Sequence, residues 1–307
     1  MVEKRPLSIE ETNLALKRKR TRDKILKILA KVFIFVMLVL VYAPLVYISV
    51  YSFTNSKVMG TWGGFSADTY TSLFSGKGDG ALLLAAARNT VIVAVSSAVI
   101  SVLLGTLGAI GIYYSRKKLW RNSLEFINQI PIVNAEIVTA FSLMVFFISI
   151  LHMQMSLFTL IVGHVILSLP YVVLSVLPKL EQMDPSLYEA AMDLGATQTR
   201  ALFKVVIPDI MPGILSGFLL SITLSLDDYV ITAFTKPANI LVLGEEEPFQ
   251  TISTFIDDAI KRNSVPIQIR SFTAIMFGLI LLVMFGMYIK SVVDAKKEKK
   301  LLKEGVK

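Results

Sequence analysis

Apolar residues in this chain come in long, nearly unbroken runs, not in the short alternating or every-third-residue stripes of a soluble core. One charge-free run covers residues 32–56, with Pro44 inside it, and a second covers 89–115. Residues 137–178 hold no charged side chain over 42 positions. Two further runs occupy 210–226 and 271–289. A helix that crosses a hydrocarbon core of about 30 Å needs roughly 20 residues at 1.5 Å each. The 42-residue run therefore accommodates two helices, with a turn near His152-Met153-Gln154. The pattern predicts an all-α membrane protein with six transmembrane helices and both termini on one side.

Between the fourth and fifth predicted spans the pattern changes. Residues 180–208 form a polar, helix-favouring loop that contains Glu189-Ala190-Ala191-Met192-Asp193-Leu194-Gly195-Ala196. Leu187, Ala190, Ala191 and Leu194 fall at i, i+3, i+4 and i+7, the spacing of one helical face. Gly195 allows the left-handed turn that ends such a helix. Thr197 is placed to cap a second helix with Leu202, Val205 and Val206 on it, and Pro208 is expected to start the next span. In the loop at 234–270, Phe249, Ile252, Phe255, Ile256 and Ile260 follow helical spacing and predict an amphipathic helix on the membrane face or tucked between spans.

Composition supports the membrane reading and narrows the chemistry. Of 307 residues, 54% are hydrophobic and 18% charged. Without cysteine the chain makes no disulfide or thiolate metal site, and two histidines, His152 and His164, argue against a histidine-rich one. Gly76-Lys77 is followed by Gly78, where a phosphate-binding loop needs Ser or Thr, so the chain shows no nucleotide site of its own. The net charge of +8 lies at the termini and in short loops beside apolar runs, which argues against nucleic acid as a partner and for membrane lipid. With the N-terminus placed in the cytoplasm, 24 of the 31 basic residues fall on the inner side. The expected organisation is a basic cytoplasmic tail over 1–27, on which Ser8 and Glu11 cap a short surface helix, a six-helix domain over 28–294 and a Lys-rich cytoplasmic tail over 295–307. The segments 52–88 and 234–270 then face outward and are long enough to dock a soluble partner.

The inner loop resembles the EAA motif of ABC importer permeases: Glu-Ala-Ala, three residues, Gly, nine residues, then Ile-x-Leu-Pro. Here the positions read Glu189-Ala190-Ala191, Gly195 and Val205-Val206-Ile207-Pro208, every spacing kept and the two departures apolar. The resemblance implies the type I ABC importer permease fold, with Glu189, Ala190, Ala191, Asp193, Gly195 and Pro208 in a coupling helix and its flank that dock on an ABC ATPase dimer. Further shared features point to the spermidine/putrescine branch: Trp62-Gly63-Gly64-Phe65, Glu136-Ile137-Val138, Gly163-His164 with Leu169-Pro170, and Leu224-Ser225-Leu226-Asp227-Asp228. The partners implied are that ATPase dimer, which binds ATP and Mg, a second homologous permease and an extracytoplasmic solute-binding protein. This chain is expected to hold no cofactor and to catalyse no covalent chemistry.

A flexible polycation calls for carboxylates and aromatic faces along its path. Asp227 and Asp228 stand near the outer end of span five, roughly 24 Å along the helix from Met211. A carboxylate so placed is costly unless it lines a wet cavity or is paired; if span five ends early, both sit among headgroups instead. Adjacent helical residues point about 100° apart, so at most one faces the path squarely. Ser225 is their neutral neighbour. Glu136 opens span three after the broken-helix segment 131–135, as a gate carboxylate or as a charge favoured by the helix N-terminus; the family has aspartate there. Trp62 is placed to stack on a cation, to meet the binding protein or to anchor at the interface. Glu245-Glu246-Glu247 stands at the mouth or is simply solvated. Gly105, Gly108 and Gly111 are read as close-packing positions, and His164 as a satisfied polar group in span four. Two alternatives stay open: the same machine carrying ferric iron, thiamine or a phosphonate, and a secondary transporter whose inner loop is only structural.

Overall fold

The computed structural model describes residues 9–304 apart from 57, 59, 76–77, 116 and 243–244, and the side chains of 21–240 and 248–293 within that range. The Ser8–Glu11 cap, Lys57, Lys77, Arg116, the side chains of Glu245–247 and those of the Lys-rich tail lie outside the described residues. In chain order the elements are α1 (Ile9–Tyr51), α2 (Asp68–Phe74), α3 (Gly78–Tyr113), α4 (Lys118–Val133), α5 (Glu136–Val145), α6 (Leu157–Gln182), α7 (Pro185–Asp193), α8 (Gln198–Ala201), α9 (Ile207–Asp227), α10 (Val230–Thr235), strands β1 (Asn239–Val242) and β2 (Glu245–Pro248), α11 (Ile252–Lys261) and α12 (Gln268–Glu304). The β1–β2 hairpin is antiparallel and pairs Asn239 with Pro248 and Val242 with Glu245. Five helices are long and apolar enough to cross a membrane, or six when the bent pair α4 and α5 counts as one span.

The chain forms two compact units, residues 1–76 with 267–307 and residues 77–266. In the first, α1 and α12 pack together, with Tyr42 and Phe277 ring centroids 6.4 Å apart. Their membrane-crossing windows bury none of their residues, so they are apolar all round, as a helix facing lipid or another span must be. The loop after α1 is tied down by hydrogen bonds: Arg270 donates to the Ser56 carbonyl at 2.8 Å and Ser271 to the Thr69 carbonyl at 3.1 Å.

In the second unit α3, α6 and α9 pack against one another around Ala109, Val172, Val173, Val176, Leu180, Val206 and Ile210. Small residues set the approach. A Cβ on Gly105 would stand 2.7 Å from a Val172 methyl, and one on Gly163 would stand 2.7 Å from an Ile231 methyl. Of the three glycines expected to serve packing, only Gly105 is needed for it. Gly108 would meet ordinary contact and Gly111 open space.

Two helices differ from the sequence expectation, both through proline and local pairing. A helix the sequence did not predict, α4, precedes α5, which begins at Glu136. Arg121, Glu125 and Glu181 break the apolar pattern, yet Arg121 bonds Glu125 at 2.9 Å and also pairs with Glu181. The α4–α5 junction bends by 100° at Asn134 and Ala135, both extended, just after Pro131. Second, Pro208 lies in the first turn of α9 as expected, but α9 is not separate from the helix before it. The chain is helical without interruption from Gln198 to Asp227, through a π-turn at Leu202–Val206 where the Ile207 N–H donates to the Leu202 carbonyl. One extra residue in the turn makes room for the proline ring, which would otherwise meet the carbonyl four residues back. The expected turn at His152 is present, with φ +53° at that residue, and Ser156 and Thr159 form a capping box that opens α6.

Gly105→Ala should lower the unfolding midpoint of the detergent-solubilised protein through a clash costing about 1–3 kcal/mol. Gly111→Ala, on the same helix but facing open space, should leave the midpoint equal or higher. Fluorescence-detected thermal unfolding of the two variants side by side checks the difference.

Candidate functional site

In the 180–208 loop, Asp184 caps α7 by accepting the Ser186 N–H at 2.9 Å, a bond that holds its carboxyl below the usual carboxylate range. Pro185 follows at the first helical position, where its missing N–H costs nothing. Gly195 ends the helix at φ +84°, and Thr197 caps α8 by accepting the Arg200 N–H at 3.3 Å. The helix is two-faced. Tyr188, Ala191 and Met192 are half-buried, and Tyr188 packs on the core cluster and lies 5.9 Å from the Tyr114 ring. Leu187 and Leu194 are 47% and 90% exposed, and Glu189, Ala190 and Asp193 are exposed beside them. Ala191 therefore leaves the face it was assigned to and turns toward the spans. The outward face is Leu187, Ala190 and Leu194, flanked by two carboxylates. Pro208, exposed, lies within the continuous helix beyond.

The second site lies where two interrupted helices meet. The α4–α5 break presents Glu136 in the first turn of α5, and the α9–α10 break follows Asp227, the last residue of α9. α5 packs on α10, with Phe141 and Phe234 edge-to-face at 6.3 Å. The two breaks line one cleft of about 400 Å³ with Asn134, Glu136, Thr139, Tyr171, Asp227, Asp228 and Tyr229 on its wall. Glu136 and Asp227 are exposed, so two carboxylates and two phenol rings share one wet space. The C-terminal end of α9, with its partial negative charge, points the same way.

Asp228 is used differently. It is 5% exposed overall, and its carboxylate caps α10: Oδ1 accepts the Ile231 N–H at 3.1 Å, and Oδ2 accepts the Thr232 N–H and hydroxyl, each at 2.8 Å. The sequence expected both aspartates on one helix, about 100° apart. Instead α9 stops between them, and Asp228 takes an extended conformation, φ −61° and ψ +125°. Ser225 does not line the cleft. It is buried between helices, donating to His164 Nδ1 at 2.8 Å and receiving Ser97 at 3.4 Å. His164 is satisfied at both ring nitrogens, with Nε2 3.0 Å from the Thr232 hydroxyl.

The outer elements divide between the two units. Trp62, in the first, is 52% exposed on a loop pinned by the Thr54–Phe65 bridge and meets the Tyr51 ring edge-on at 6.1 Å. In the second, α11 is the expected amphipathic helix, although Phe249 precedes it. It is tucked against α3, since the Thr90 hydroxyl receives the Ile252 N–H at 2.9 Å and Asn89 donates to the Gln250 carbonyl at 3.1 Å. Ser253 donates to the Asp228 carbonyl at 2.7 Å, and Tyr229 donates to Asp257 at 2.8 Å. Lys261, 2.6 Å away, and then the Tyr229 hydroxyl hold Asp257 below the usual carboxylate range; Asp257 in turn pushes Lys261 up to about 12.

Residues 101–299 match the family described as binding-protein-dependent transport system inner membrane component. The chain belongs to that family. Among curated relatives, the putrescine transport system permease protein PotI of Escherichia coli strain K12 is 34% identical over 200 residues, covering 64% of this chain and 70% of PotI. The spermidine/putrescine transport system permease protein PotC of Haemophilus influenzae is 31% identical over 215 residues, 70% of this chain and 81% of PotC. The fold agrees with a solved bacterial ABC transporter involved in import of the acidic polysaccharide alginate, at TM-score 0.64 and 18% identity over 88% of this chain and 97% of that one. The membrane reading, the all-α class and a role in transport and not in catalysis stand on these likenesses.

Both aromatic wall residues of this inner membrane component went unread in the sequence, Tyr171 and Tyr229. Each directly follows a motif already noted, Leu169-Pro170 and Asp227-Asp228, and a phenol inside an apolar run was the available signal. The division of labour at the α9 terminus yields a prediction. Asp228→Ala should lower the unfolding midpoint by removing the cap and stranding buried N–H groups, a loss of about 1–3 kcal/mol. Asp227→Ala should leave the midpoint unchanged, as calorimetry or thermal unfolding in detergent would show.

Proposed function

We propose that this chain is the permease subunit of an ATP-driven importer of polyamines such as spermidine and putrescine. The observation that carries this reading is the cleft at the paired helix breaks, where Glu136 and Asp227 face water together with Tyr171 and Tyr229. A linear polycation offers ammonium groups separated by short methylene stems. Carboxylates receive the former, aromatic faces receive both, and the α9 carbonyl end adds to the attraction. A volume near 400 Å³ falls within the range of small-molecule sites. The names of the relatives PotI and PotC support the same cargo. Among the described residues lining the cleft none is basic, which disfavours an anion such as a phosphonate.

The chain works in an assembly. An ABC ATPase dimer carries ATP and Mg and receives the outward face of α7, with Leu187, Ala190 and Leu194 against its surface and Glu189 and Asp193 at the rim. Closure of that dimer moves α7. Tyr188 and the unbroken helix from Gln198 to Asp227 carry the movement to the cleft, so that it opens outward to receive cargo from an extracytoplasmic binding protein. Hydrolysis resets it inward. A second homologous permease supplies the other half of the path, and Trp62 contributes to the outer surface. Both termini lie in the cytoplasm, the side the basic residues favour.

Two measurements test this in proteoliposomes containing all partners. Asp227→Asn and Glu136→Gln should each reduce labelled spermidine or putrescine uptake by about tenfold or more, the loss of roughly one charge-assisted hydrogen bond; wild-type uptake in both variants would refute the cleft assignment. Glu189→Lys should abolish uptake driven by ATP while the subunits still copurify. Uptake that persists in this variant would remove α7 from the coupling path.

A further inference from the structure

The Gly163-His164 pair on α6 has no part in the cleft wall, yet α10 is seated on it. Gly163 leaves the space filled by the Ile231 side chain, and the next residue bridges two helices. The direction of the hydrogen bonds follows from their ends. Asp228 Oδ2 is an acceptor, so the Thr232 hydroxyl gives its proton there, at 2.8 Å. Thr232 Oγ1 must then receive from His164 Nε2–H, at 3.0 Å. The other ring nitrogen, Nδ1, is left as the acceptor for the Ser225 hydroxyl, at 2.8 Å. A chain runs from Ser225 on α9 through His164 to Thr232 on α10 and ends on the Asp228 carboxylate. His164, Thr232 and Ser225 are 1%, 0% and 5% exposed, so water does not compete with it.

The chain spans the break in span five. Ser225 lies three residues before Asp228 and Thr232 four after it, and His164 holds both from outside. We propose that His164 is a positioning residue for cargo recognition: by clamping the two sides of the break it keeps Asp228, at the cleft wall, engaged as the α10 cap and leaves Asp227 exposed in the cleft. The Asp228 oxygens are then occupied by α10 donors, and the adjacent carboxylates serve two tasks. The inference rests on the cleft being the cargo site.

The test uses the complete transporter and four changes. His164→Leu keeps the volume and removes both hydrogen bonds; His164→Gln keeps an N–H donor near the position of Nε2; Thr232→Val removes the bridging hydroxyl at constant shape; Asp228→Asn alters the end of the chain. With equal amounts of protein in the membrane, His164→Leu and Thr232→Val should raise the apparent KM for polyamine uptake about tenfold, the loss of a buried hydrogen bond that ends on a charge. His164→Gln should recover to within about threefold. In an Asp228→Asn background His164→Leu should add little, because both changes break one chain. Equal behaviour of His164→Leu and His164→Gln, or full additivity with Asp228→Asn, overturns the proposal. Failure of both His164→Leu and Thr232→Val to accumulate also overturns it, assigning His164 to folding alone.

A cargo-independent arm separates this from failure of the polyamine reading. The chain has no cysteine, so Ile231→Cys introduces a single thiol at a fully buried position beside the clamp. Hydrophilic maleimide should label it about fivefold faster in the His164→Leu background than with His164 or His164→Gln, as expected when a local opening becomes cheaper. Equal rates sink the clamp even if uptake is normal. Unequal rates with no wild-type polyamine uptake would keep the clamp and reject the cargo.

Discussion

A helix that stops among apolar neighbours leaves N–H and C=O groups that hydrocarbon cannot satisfy, and the second unit is arranged around two such stops. At the α9–α10 break the debt is met by one carboxylate. Asp228 accepts two backbone N–H groups and a hydroxyl, and its own carbonyl accepts the Ser253 hydroxyl from α11. At the α4–α5 break the chain turns through two extended residues after Pro131, and Asn134 donates to Thr139 at 3.0 Å. Irregular backbone of this kind is tolerated where it borders a wet cavity. The cleft and the breaks therefore require each other: the breaks expose polar groups, and the cleft gives water access to them.

Backbone continuity also links the 180–208 loop to the cleft. A π-turn precedes Pro208, and the segment from Gln198 to Asp227 is one continuous helix. α7 joins it through the tight Gly195 turn and grips the core through Tyr188. The exposed face of α7 is thus linked through that turn to the helix whose last residue borders the cleft. At the other end, α11 holds Asp228 and Tyr229, so an outer element touches the same break.

How much of this was legible in the sequence differs by element. The span count, the turn at His152, the cap at Thr197 and the Gly195 stop were readable because each depends on a few adjacent residues and on backbone chemistry alone. The kink near 131–135 was readable for the same reason. The helix α4 was hidden, because Arg121 looks like a loop charge until Glu125 and Glu181 neutralise it, and Glu181 is distant in sequence. The β1–β2 hairpin left no clear alternation to find.

By itself the sequence determined that this is a helical membrane protein, where its apolar runs lie, and that a polar helix with a glycine stop lies within residues 180–208. Those properties follow from composition, period and spacing. Only the tertiary structure decided what each polar residue does. Asp227 and Asp228 are chemically identical neighbours that both border the cleft, yet one is exposed in it and the other caps a helix, because His164, Thr232 and Ser253 surround only the second. Ser225 lies at a helix interface and not on the cleft wall on the same grounds, and Tyr171 lies on that wall. Such assignments depend on which distant side chains meet across packed helices, and no local pattern carries that information.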